Sequence, residues 1–121
     1  MAARTAFAHD AVLRMDAEGN DAAPGGAITV ALCGSWSHEP PCPLAPHSTA
    51  AVRSGDEVTL RVLFAAPPED EHRVRRLIDD ALAQGQGNDP HGRRTHWHVV
   101  RTGTSPVLPE EEGHARRLAL S

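Results

Sequence analysis

Four side chains of the kinds that bind zinc, Cys33, His38, Cys42 and His47, fall in the stretch "CGSWSHEPPCPLAPH" with the spacing C-x4-H-x3-C-x4-H. Two thiolates and two imidazoles make the tetrahedral donor set of a closed, structural zinc site. Prolines 40, 41, 43 and 46 stiffen the same stretch. They restrict the unfolded chain in advance, so ordering the loop around a metal loses less entropy. The spacing differs from the paired-cysteine patterns of zinc ribbons and fingers, and a plainer reading stands beside the metal. In it Cys33 packs on a sheet as a small apolar side chain while the rest of the loop lies over the sheet end. A disulfide between Cys33 and Cys42 is a third reading, disfavoured in a reducing compartment. Trp36 sits in the same loop, where an exposed aromatic side chain would suit a ligand or partner surface.

A second constellation is "HWH" at His96, Trp97 and His98. On a strand the two histidines share a face with backbones about 6.6 Å apart, and Trp97 points the other way. With a third imidazole, from His9 or from the loop histidines, they would form an open catalytic-type zinc site able to activate water, the core of a small metal-dependent hydrolase. No nearby carboxylate follows the pair in sequence to serve as a general base. The competing reading leaves both histidines in solvent and Trp97 in the core. A nucleophilic Cys42 paired with His38 or His47 has thin support, because a reactive thiol needs a lowered pKa and an oriented base. His72, His91 and His114 read as surface residues.

These side chains need elements to position them. "AHDAVLRMD" (8–16) alternates with His9, Ala11, Leu13 and Met15 on one side, which predicts a first strand. "AITVALCGSW" (27–36) reads as a second strand ending in the proline-rich loop, which puts Cys33 at a strand end. "STAAVRSGDE" carries a Ser-Gly-Asp turn. "EVTLRVLFAA" (57–66) is the clearest strand, with Val58, Leu60, Val62 and Phe64 on its apolar face. "PPEDEHRVRRLIDDALAQG" (67–85) predicts a helix. Prolines and acids begin it, Val74, Leu77, Ile78, Ala81 and Leu82 form its buried stripe, and Gly85 ends it. Glu69–Arg73 and Glu71–Arg75 have the i,i+4 order that favours pairing, and Arg75 and Arg76 can reach Asp79 and Asp80. "RTHWHVVRT" reads as a strand, and "LPEEEGHARRLALS" as a short helix opened by Pro109.

The order strand, strand, loop, strand, helix, strand, helix predicts a single α+β domain over 1–121. Its expected form is a two-layer sandwich of a four-stranded mixed sheet with two helices on one face. A right-handed parallel crossover is expected between the last two strands if they are adjacent.

Composition bounds the function. The chain has 121 residues, and its twelve basic residues are all arginine against sixteen acids, for a net charge of −4. That balance argues against a nucleic-acid or membrane-surface binder. Protonating all eight histidines would carry the charge to +4, so the sign turns over in mild acid. Nineteen alanines and only four aromatic residues make a lean core, for which a shared face in a homodimer is the natural remedy. No apolar run is long enough to cross a bilayer and no targeting segment is visible. The expectation is a small soluble binding module of the cytoplasm, taking a protein or small-molecule partner, with zinc as cofactor if its loop binds metal. The hydrolase and a non-catalytic assembly subunit are the alternatives.

Overall fold

The computed structural model describes residues 4–33, 45–89 and 91–120, the side chain of Cys33 excepted. A central strand β1 (Thr5–Met15) pairs antiparallel with β3 (Glu57–Ala66) on one side and with β5 (Arg94–Ser105) on the other. The edges are β2 (His47–Ser54) against β3, and the short β4 (Gln86–Asn88) against β5. The sheet order is β2-β3-β1-β5-β4, antiparallel throughout. The described residues also form three α-helices: α1 (Ala23–Cys33), α2 (Glu71–Ala83) and α3 (Glu112–Ala119).

This corrects the expected four-stranded mixed sheet with two helices to a five-stranded antiparallel sheet with three. The parallel crossover fails for a definite reason. β3 and β5 run parallel and are joined through α2, but β1 lies between them. β1 and β2 are likewise joined through α1 and separated by β3. Both connections are split βαβ units, so every pair of neighbours is antiparallel.

The largest local correction is α1. Residues 27–33, expected in a strand, are helical. Ile28-Thr29-Val30 mimics strand alternation, yet a continuous apolar run does not distinguish a buried strand from a buried helix. The helix signals lie upstream. The Asn20 side-chain oxygen accepts the Ala22 N–H at 2.8 Å and Pro24 stands in the first turn, where its missing N–H costs nothing. Cys33 therefore closes a helix and not a strand. The segment 47–54 is correspondingly a strand, and it turns into β3 at Gly55, whose φ is +63°.

One sheet face carries the main core. Ala11, Leu13 and Met15 of β1 and Val58, Leu60, Val62 and Phe64 of β3 meet Ile28 and Leu32 of α1, Val74, Ile78 and Leu82 of α2, and Trp97. The indole Nε1–H of Trp97 donates to the Leu82 carbonyl at 2.9 Å. α1 touches both edge strands, β2 and β4, which requires the sheet to curl around it. On the opposite face α3 packs on β1 and β3, where Ala8, Leu63, Ala65 and Ala115 are buried. Arg61 of β3 ties that helix down. It donates to both oxygens of Glu111 at 2.7 and 2.5 Å, to Asp10 at 2.8 Å and to Ser105 at 2.9 Å. Among the described residues, no helix is long and apolar enough to cross a membrane.

Candidate functional site

His47 is the one member of the Cys33/His38/Cys42/His47 set whose side chain is described. It opens β2 and is half-buried. Its Nδ1 lies 3.0 Å from the carbonyl oxygen of Ala45, and a carbonyl only accepts, so Nδ1 carries the proton. Nε2 then holds the lone pair, and it accepts from the Thr29 hydroxyl of α1 at 3.0 Å. A ring whose Nδ1–H is fixed by a backbone carbonyl has the orientation that outer-shell bonds give to metal-binding histidines, but the Nε2 lone pair is taken by the Thr29 hydroxyl, so a metal there would have to displace that bond. His47 is thus held against α1, whose last residue is Cys33. His38, Cys42 and Trp36 lie outside the described residues. Among the described residues no group of three or more His, Cys, Asp or Glu side chains is placed to hold a metal.

The second constellation is divided by the sheet. Thr95 and Trp97 are buried on the helix-covered side, while His96 and His98 alternate to the exposed side. There they border an open depression of about 340 Å³ with Arg14, Asp16 and Asp56. His9 belongs to the other face, because it shares the parity of Ala11, Leu13 and Met15. The structure does not bring His9 together with His96 and His98.

His9 has another setting, which the sequence alone does not reveal. Its ring is buried, with Nδ1 3.0 Å from Arg75 Nη1 and Nε2 2.8 Å from Asp79 Oδ1. A guanidinium can only donate, so Nδ1 accepts and Nε2–H donates to the carboxylate. Arg75, only 9% exposed, also donates to the Ala8 carbonyl at 2.7 Å and to Glu71 at 2.8 Å. Its guanidinium carbon lies 5.7 and 5.3 Å from the ring centroids of Phe7 and Phe64, within cation–π range. The chain Glu71–Arg75–His9–Asp79 joins α2 to the central strand with both imidazole nitrogens engaged, which suits a structural tie and leaves neither nitrogen for substrate. The only sequence signal was a charged residue beside the apolar stripe of α2.

A groove of about 510 Å³ runs between α1, α2 and β4. Ala27, Val30, Ala31, Leu77 and Ala81 make its apolar floor, and Asp80 and Gln84 stand on its rim. It went unread in the sequence because one of its walls, α1, was expected as a strand.

The fold and these sites define the class, an α+β domain with an antiparallel sheet, helices on both faces and a Cys/His-bearing connection from α1 to β2. No family model matches the chain, and no curated protein matches it.

Proposed function

We propose that this chain is a small binding module whose working surface is the connection from the end of α1 to the start of β2, and that a zinc ion is held there by Cys33, His38, Cys42 and His47. The observation that supports the reading is the His47 ring, oriented through Nδ1–H on the Ala45 carbonyl with Nε2 facing α1; a zinc ion would take the Nε2 lone pair in place of the Thr29 hydroxyl. The donor types fit zinc, and the pinned ring is a residue orienting itself as a ligand would be oriented. The chemistry zinc supplies when bound is a cross-link between α1 and β2, so its binding free energy adds to folding free energy. Zinc ligation needs both thiols reduced, a condition that a cytoplasmic location would supply. The lean, alanine-rich core supports a homodimer as its assembly, and the loop with Trp36 is the surface for a protein or small-molecule partner.

Protein prepared without a histidine tag is expected to carry about one zinc per chain, to bind cobalt with a thiolate charge-transfer band, and to melt at lower temperature after chelation. Cys42→Ser and His47→Ala should each abolish metal retention, and His91→Ala should not. Protein that carries no metal, fails to take up cobalt and melts identically with and without chelator refutes the site.

A further inference from the structure

We infer that two copies of this chain pair through β2, edge to edge and antiparallel, to make one continuous sheet. The first observation is the hydrogen-bonding row that β2 turns outward. Pro46 and Ala65 stand opposite each other, and the Ala65 N–H donates to the Pro46 carbonyl at 2.9 Å. Along an antiparallel ladder inward and outward residues alternate. Ser48, Ala50, Val52 and Ser54 therefore bond to β3, and Thr49, Ala51 and Arg53 turn their N–H and C=O groups away from it. β2 ends the sheet order, and Thr49, Ala50, Ala51 and Val52 are four consecutive exposed residues, so among the described residues neither helix nor loop covers this edge.

The second observation is that the edge lacks the features by which exposed strands avoid pairing. Residues 47–54 contain no proline and no lysine, and their register with β3 runs without a bulge. The one charged side chain, Arg53, is drawn back along the molecule. It donates to the carbonyls of Asp16 and Gly19 at 2.6 Å each and of Gly55 at 3.0 Å. Its charge is spent on the neighbouring turns and does not guard the strand.

The third observation selects the occupant. Val52 is 69% exposed on the face opposite α1, and Ala50 is its neighbour on that face. A two-fold axis through Ala51 sets Val52 of each copy against Ala50 of the other, Thr49 against Arg53 and Ser48 against Ser54. Outward residues meet outward residues, as hydrogen-bonded pairs require, and no like charges face each other. In this register the strand meets a second copy of itself with no like charges opposed, as an isologous dimer needs. The inference deepens the homodimer reading above by naming its surface.

Sedimentation of the wild-type protein over a concentration series should show a reversible monomer–dimer equilibrium. Ala51→Pro removes an outward N–H that β3 does not use, and Val52→Lys places a charge on the paired face. Each should shift the equilibrium to monomer while leaving the circular dichroism spectrum unchanged. Amide exchange in the wild type should slow at Ala51 and Arg53 as concentration rises. A wild type that stays monomeric at every concentration overturns both the pairing and the homodimer. A dimer retained by both variants, with Ala51 exchanging freely, overturns the β2 contact and leaves a dimer built elsewhere.

Discussion

Arg75 shows how burial decides the worth of a polar contact. Its guanidinium is held by three acceptors and two aromatic rings, and a buried charge that loses a partner bears the desolvation cost alone. His9→Ala removes both the acceptor of that bond and a buried ring from the central strand. A loss of about 2–3 kcal/mol in denaturant unfolding is expected. Asp79 lies at the other end of the same chain but its side chain is 43% exposed, where water replaces a lost bond. Asp79→Asn, whose amide oxygen still accepts from Nε2–H, should cost under about 1 kcal/mol. Equal losses in the two variants would show that the imidazole does not hold the tautomer assigned here.

At the scale of elements, what could be read in the sequence depended on whether the signals were local. α2 was legible because three independent local signals agree: prolines and acids at its start, an apolar stripe, and a glycine past its end. Its Gly85 does take a left-handed φ of +70°. The strands were legible as 8–16, 57–66 and 94–102, short of the observed Thr5 and Ser105 ends, although Ala8, Leu63 and Ala65 are buried on the far face because α3 covers it. α1 was not, since an apolar run reads either way and the deciding cap, Asn20, stands several residues upstream. β2 was missed because an exposed edge strand of Ser, Thr and Ala has no apolar rhythm to display. At the candidate site, sequence supplies the donor types but not the Thr29 and Ala45 partners that orient His47, since those depend on α1 meeting β2.

Two glycines turn this into a prediction. Gly85→Ala forces a side chain into the left-handed region, with its Cβ only 3.1 Å from the Trp97 carbonyl oxygen, and should cost about 1–2 kcal/mol. Gly113→Ala, inside α3 with nothing closer than an Arg117 nitrogen at 3.8 Å, should gain up to about 1 kcal/mol from helix propensity. Thermal unfolding of the two variants should move in opposite directions, and a shift in the same direction would contradict these helix ends.

For the whole molecule the question is what holds the C-terminal segment on the second sheet face, since α3 is short and Ala115 is its one buried residue. The answer lies in charge more than area. The Arg61 guanidinium, bonded to both oxygens of Glu111, holds that carboxyl down to about 2 from an ordinary 4.5, and the Leu108 N–H adds to the effect. The same pairing raises Arg61. A carboxylate whose pKa is lower in the folded chain contributes its full stabilisation above the unfolded value. That contribution is fully present above pH 4.5, declines as pH falls through the interval, and is gone below about 2. Asp89 acts in the same direction: burial works to raise it, but the backbone N–H groups of Arg93 and His91 and the Asn20 side chain leave it lowered overall. Unfolding free energy should therefore drop on acidification below pH 4.5. Glu111→Gln should be less stable than the wild type at neutral pH and should lose less on descending through the same window, because the proton it would take up is already accounted for by the amide. Denaturant titrations at stepped pH would show the two curves converging toward pH 2. Parallel curves would mean that α3 is held by packing and not by the Arg61–Glu111 pair.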